Sequence, residues 1–220
     1  VVQYLFDNNH AELLEGFNWE FNLVEDNQAN AWCMPGGKVV VYTGILPITQ
    51  DENGLAVVMG HEIAHAIADH GNERMSQGML QQYGGVALSV ALQNQPQETQ
   101  ALWMTAYGVG SYYGALLPYS RLHESEADHL GLIFMSIAGY NPQASIPFWQ
   151  RMAEASGGQA PPEFMSTHPS NETRISNLQK WMPEALKYYN GDKGTSGPGK
   201  PGGGSGTGTS GDPKKVKLGG

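Results

Sequence analysis

His61, Glu62 and His65, in the stretch MGHEIAHAIADHGNER (residues 59–74), have the types and spacing for metal chemistry. On a helix, residues four apart stand one turn above each other, so His61 and His65 can turn both imidazoles toward one point. Neutral imidazole is a good zinc ligand at about 2.0–2.1 Å. Glu62 emerges on the adjacent side, badly placed to bind the ion beside both histidines. That is where a base must stand to take a proton from water activated there. The flanks AVVMG and AHAIA are apolar, so this helix should be buried. Polar side chains without partners are costly in such a place, and a metal would satisfy them.

A catalytic zinc usually takes three protein ligands and leaves a position for water. The metzincin pattern would need Gly at 68 and His at 71, where this chain has Ala68 and Gly71, with His70 one residue off. A cysteine ligand would have to be Cys33, but AWCMPGG lacks the Glu-Gly-Cys-Leu signature of peptide deformylases. Cys33 reads as a small apolar residue near the site. The best candidate lies in SRLHESEADHLG (120–131), where Glu124 and Asp128 share a helix face. Glu124 can offer a carboxylate oxygen to the metal, and Asp128 can accept the far ring N–H of a zinc histidine, fixing its tautomer. Glu126 reads as solvated. The apolar run LGLIFMSIAG that follows buries this helix, which makes two idle carboxylates on one face improbable.

The elements that must position these groups are legible in outline. NWEFNLV (18–24) alternates like a half-buried strand, and NAWCMPGGKVVVYTGIL (30–46) reads as two strands around a Pro-Gly-Gly turn. A long helix is expected over TQDENGLAVVMGHEIAHAIADH, with Thr49 and Glu52 at capping-box spacing. Between Met75 and Ser120 the only charge is Glu98. Its two apolar segments, 83–92 and 101–118, are expected to form a buried helical hairpin in preference to a peripheral membrane contact. Further helices are predicted over 120–139 (ended by Gly139 and Asn-Pro), 143–155 and 171–189, and a weak one over 1–15.

The chain has 220 residues, 40% of them hydrophobic, enough for one sizeable domain. A single cysteine excludes a disulfide framework and a multi-cysteine zinc site, and points to neither an oxidising nor a reducing compartment. Residues 1–190 carry 7 Lys+Arg against 19 Asp+Glu, which argues against nucleic acid as a partner. Residues 191–220 include 12 Gly and 5 Lys and read as a flexible tail that cannot bury a core, so the domain is expected to be 1–190. The chain opens VVQYLFDNNH, without Met or a signal peptide, and reads as a mature or trimmed form.

HEIAH followed by SRLHESEAD resembles metallopeptidase family 48, the HtpX-like, Ste-type prenyl-protease, Oma-type and BepA-like zinc proteases. NAWCMPGGKVVVYTGIL and STHPSNETRI (166–175) resemble, respectively, the strand pair before the zinc helix and a segment near the active site of the soluble Oma-type and BepA-like branch. The likeness runs from residue 18 to about residue 180. It implies an α+β fold: a mainly helical zincin domain of the gluzincin type, with a small antiparallel sheet beside the H-E-x-x-H helix. It implies one zinc per chain, held by His61, His65 and Glu124, with Glu62 as base and Asp128 behind a zinc histidine. It also implies a bacterial envelope location, periplasmic or lipoprotein-anchored.

His168 has three readings. Pro169 holds it out of helical geometry, and the resemblance lets it close zinc's fourth position as a latch; otherwise it donates to the oxyanion or caps the helix starting near Ser170. A metal-adjacent role is favoured. Arg174 pairs with an acid near the site or makes a purely structural ion pair. His10, His70, His123 and His129 read as structural or exposed. The expected activity is endopeptidase cleavage of protein or peptide substrates, misfolded or envelope proteins among them. In it Glu62 moves the proton, and an extended substrate lies along the edge of the WCMPGGKVVVY hairpin. The alternative is a latched or chaperone-like envelope binding protein whose zinc is structural.

Overall fold

The computed structural model describes residue 5 and residues 11–157, 164–165, 168 and 172–191, with the side chains of residues 119 and 172 excepted. The surroundings of Pro169 and Ser170, most of the helix expected over 1–15, His10, and all but the first residue of the 191–220 tail lie outside them.

Three short strands come first: β1 (Glu20–Val24), β2 (Ala31–Met34) and β3 (Lys38–Tyr42). Pro35, Gly36 and Gly37 join β2 to β3, and the positive φ of Gly36 and Gly37 (81° and 87°) is what the tight reversal requires. β2 and β3 pair antiparallel, as expected, but β1 runs parallel to β3, in the order β1-β3-β2. The sheet is therefore mixed rather than wholly antiparallel. Val24 ends beside Tyr42 and Ala31 begins opposite Val41, so the loop after β1 crosses the sheet end over a gap that β3 later fills. β1 is an edge strand, exposed along its whole length and not half-buried, with Phe21 at 57% and Leu23 at 65% exposure.

The helix carrying the histidines, α1 (Glu52–Ile67), starts two residues later than the capping-box spacing suggests. A separate turn, Leu46–Thr49, precedes it, and the left-handed Gln50 (φ 67°) divides the two. The cap is Asp51, whose Oδ1 accepts from Gly54 N at 2.8 Å. At the other end Asp69 is left-handed too (φ 58°), so the chain turns at Ala68–Asp69 and begins α2 (His70–Leu92). Next come α3 (Gln97–Ser111), one π-helical turn at Tyr112–Leu116, and α4 (Leu117–Ile137). Gly139 (φ 86°) closes α4 as predicted. α5 (Ser145–Ser156) and α6 (Glu172–Ala185) follow. The α+β, mainly helical class stands.

Two glycines set the central packing. A Cβ on Gly60 of α1 would lie 2.7 Å from Gly131 O, and one on Gly131 of α4 would lie 2.8 Å from His61 N. Without side chains there, the two helices touch backbone to backbone. One face of this crossing meets Val39, Ile45, Val58, Phe148, Trp149 and Leu178 in the core.

The expected buried hairpin is a hairpin but is not buried. α2 and α3 expose Leu80 (71%), Tyr83 (68%), Leu102 (68%) and Trp103 (55%). A single charge over this stretch predicts burial, yet none of the described elements covers these faces.

Candidate metal centre

The α1–α4 crossing puts residue 61 opposite residues 124 and 128. His61 and His65 turn their Nε2 atoms toward each other, 3.1 Å apart. Glu124 brings Oε2 to 3.4 Å from His61 Nε2 and Oε1 to 3.3 Å from His65 Nε2. Ligand atoms held tetrahedrally at about 2.0–2.1 Å from zinc are about 3.3 Å apart. The donor types suit zinc, and the spacings are of the size its ligands need. His168 joins them from outside the helix pair: its Nδ1 lies 3.1 Å from His61 Nε2 and 2.9 Å from Glu124 Oε2. Together His61, His65, Glu124 and His168 form a cluster in which one atom from each lies within 4.8 Å of the others.

Electrostatics calls for a cation at this point. Burial would push the His61 imidazole down, but Asp128 and Glu124 outweigh it and hold its pKa up at about 9. Glu124 should rise on burial, yet hydrogen bonding with His168, His61 and His65 keeps it well below the usual carboxylate range. His65 goes the other way: burial lowers it to about 3, so it stands neutral with a lone pair to offer.

Behind this cluster a buried ionic frame fixes the ligands. Asp128 Oδ1 lies 2.9 Å from His61 Nδ1, close although not aligned as a full hydrogen bond. Arg174 donates from Nε to Asp128 Oδ2 at 2.5 Å, from one terminal nitrogen to Glu124 Oε2 at 2.8 Å, and from the other to the His168 carbonyl at 3.1 Å. Its guanidinium also lies 3.9 Å above the Trp149 ring. The sequence left Arg174 between two roles; the structure places it on two of the predicted acids at once.

Glu62 faces a cleft of about 360 Å³ lined by Cys33, Pro35, His65, Arg74 and His168 among others. Its Oε2 accepts from Cys33 N at 3.2 Å, which ties α1 to β2. Its Oε1 is buried, accepts no hydrogen bond among the described residues, and faces His168 Nε2 at 3.4 Å. Burial raises the Glu62 carboxyl above its ordinary value, in the direction a proton acceptor near neutral pH needs. Burial, then the neighbouring Glu62, pushes the Cys33 thiol up to about 12, so it is an inert wall.

The family model for peptidase family M48 matches residues 1–182. The chain belongs to that family. Over 190 residues this M48 chain is 38% identical to the mitochondrial metalloendopeptidase OMA1 of Saccharomyces cerevisiae, covering 80% of this chain and 51% of that protein. Over 177 residues it is 34% identical to the mitochondrial metalloendopeptidase OMA1 of Homo sapiens, with 77% and 33% covered. Over 166 residues it is 27% identical to the beta-barrel assembly-enhancing protease of Escherichia coli, with 73% and 34% covered. The chain thus spans about half the length of the yeast relative and about a third of the other two. These names overturn the expected bacterial envelope location, because the relatives at 34% and 38% identity are named as mitochondrial. That expectation rested on segments and branch habits, and neither is written in the site residues. Zinc, the metal of M48 peptidases, suits the cluster described above.

His70 and His123 read as structural or exposed and Glu126 as solvated; in the structure both histidines are buried, Glu126 is exposed, and the three lie together. His70 and His123 are buried and stacked, with ring centroids 4.3 Å apart, and Glu126 reaches His70. Residues five apart are not neighbours on a helix, so the sequence pattern of a continuous helix conceals His70 from His65. The structural reading of His129 agrees with its 2.8 Å contact to Glu184.

Proposed function

We propose that this chain is the catalytic domain of a zinc metalloendopeptidase, residues 1–190, followed by a linker-like segment, 191–220. His61, His65 and Glu124 hold the metal, and Asp128 and Arg174 hold those ligands in place. The observation that carries the reading is the convergence of these three donors beside the buried Glu62 carboxylate at the cleft. Bound zinc supplies Lewis acidity, lowering the pKa of its water toward about 7 and polarising a carbonyl. Glu62 accepts the water proton on Oε1 as the scissile carbonyl is attacked, then gives it to the leaving amine. β2 is the edge of the sheet opposite β1, and Asn30 to Cys33 line the cleft. An extended peptide can add there as a strand, held mainly by backbone groups. The mitochondrial names of the yeast and human relatives support a mitochondrial location.

His168 occupies the fourth corner of the donor cluster, which supports its role as a latch in a resting form. The same observation favours the second reading, a binding protein that stays latched. Casein cleavage separates them. Glu62→Gln should keep zinc and lose at least about 10²-fold in activity, while His168→Ala should cleave faster than the wild type. Equal activity of wild type and Glu62→Gln ends the peptidase reading. Activity seen only in His168→Ala favours the latched one.

The exposed α2–α3 hairpin supports peripheral membrane contact: its faces are apolar and aromatic, and Glu98 is its only charge after Arg74. None of the helices among the described residues is long and apolar enough to cross a membrane. Co-sedimentation with zwitterionic vesicles should be lost in a Leu80→Glu, Leu102→Glu double variant. Wild-type chain that remains in the supernatant would refute the contact.

A further inference from the structure

Each zinc histidine needs its far nitrogen held, because that bond decides which nitrogen keeps a lone pair for the metal. For His61 the holder is Asp128. For His65 it has not been assigned, and the geometry points to His70. His65 turns Nε2 to the cluster and places Nδ1 2.9 Å from Nδ1 of His70. The other nitrogen of His70, Nε2, lies 3.2 Å from Glu126 Oε2.

Only one set of tautomers serves a ligand here. If His65 Nε2 is to present a lone pair, its proton must sit on Nδ1. That N–H then donates to His70 Nδ1, which must be bare, so His70 carries its own proton on Nε2. A carboxylate can only accept, and Glu126 is the acceptor in reach of that N–H. The chain of donors runs one way: His65 to His70, and His70 to Glu126.

The fold builds this contact deliberately late in the sequence. Were α1 continuous, residue 70 would point about 140° away from residue 65 around the axis. Left-handed Asp69 breaks the helix, and His70 folds back as the first residue of α2. The ring is buried at 2% exposure and stacks on His123, whose Nε2 lies 2.9 Å from Glu73 Oε2. Its orientation is thus fixed on its face and at both nitrogens.

We propose that His70 is a positioning residue for the metal centre: it fixes the tautomer and orientation of His65 and hands the ordering on to Glu126. This rests on the reading of His65 as a zinc ligand.

The test is zinc affinity of the full chain, read by competition with a chromophoric chelator, with no substrate present. His70→Phe keeps the ring stack but removes the acceptor, and should weaken zinc binding about 10- to 100-fold. His70→Gln retains an acceptor for His65 and a donor for Glu126, and should restore affinity to within about 3-fold of wild type. Glu126 is exposed, so Glu126→Ala should leave the melting of metal-free protein unchanged while weakening zinc about 2- to 5-fold. That variant keeps the test open if His70→Phe fails to fold. Wild-type affinity in His70→Phe, or in Glu126→Ala, overturns the proposal. If His65→Ala still binds zinc like wild type, the ligand reading itself has failed, which is a separate and recognisable result.

Discussion

The crossing of α1 with α4 and the hairpin of α2 with α3 invert the usual sorting of side chains. At the crossing, His61, Glu62, Glu124, Asp128 and Arg174 are each no more than 7% exposed. On the hairpin, Leu80, Tyr83 and Leu102 are each at least 68% exposed. Burying five ionisable groups is tolerated only when each is paired or bound to a metal. Exposing a contiguous apolar face signals a surface that something else covers. Both departures therefore mark function, the first by chemistry and the second by contact, and each can be broken separately.

The largest effect should come from the ionic frame. Arg174→Ala leaves Asp128 and Glu124 facing each other without the cation between them. Removing one partner of a buried ion pair costs about 3–5 kcal/mol, measurable by urea denaturation. Arg174→Lys keeps the charge but not the fork that reaches both acids, and should recover only part of the loss. An Arg174→Ala protein as stable as wild type would show that the frame is not what holds the crossing together.

Next is the close helix contact. Gly131→Val would put a branched side chain where even a Cβ comes within 2.8 Å of His61 N. Overpacking of this kind costs about 1–3 kcal/mol or more. Because the displaced backbone belongs to His61, zinc affinity should fall along with stability. An equally overpacked site far from the crossing should lower stability alone, and that difference is the measurement.

The crossing was legible in the sequence because its residues obey one geometry. His61 with His65, and Glu124 with Asp128, each share a helix face by four-residue spacing, and apolar flanks announced burial. Gly60 and Gly131 carry no such signal: a glycine in a helix reads as a weakness until the facing helix is known. His70 was hidden for a related reason, since a helix break at Ala68–Asp69 has no Gly or Pro to mark it. The hairpin's two helices are legible in the sequence but its exposure is not, because low charge reports what a surface avoids and not what it meets. The parallel placement of β1 depends on strand order, which short-range alternation cannot encode.

The pH response of the metal-free chain sharpens the comparison further. His61 is held at about 9 in the folded chain, burial opposing and Asp128 and Glu124 prevailing, against an ordinary 6.5. A folded value above the unfolded one gives stability that is full below about pH 6.5 and is lost as pH rises through about 9. In chelator, stability should therefore decline between pH 6.5 and 9, by on the order of 1–3 kcal/mol. With zinc present, His61 is ligated and carries no titrating proton, so that decline should vanish. The same slope with and without zinc would mean that the metal and the proton do not compete for this imidazole.

The smallest effect is expected on the hairpin, and its smallness is the point. Leu80→Ser and Leu102→Ser remove side chains that are 71% and 68% exposed, so each should change stability by no more than about 0.5 kcal/mol. Leu132→Ala, at 3% exposure on α4, removes comparable apolar surface from the core and should cost about 2–5 kcal/mol. A loss above about 2 kcal/mol for either serine variant would mean that the hairpin is covered in dilute solution. In that case melting should depend on protein concentration, because burial by a second copy follows mass action whereas burial within one chain does not. A melting point that stays the same across concentrations, together with the small losses, leaves the apolar face open for a surface that the isolated protein lacks.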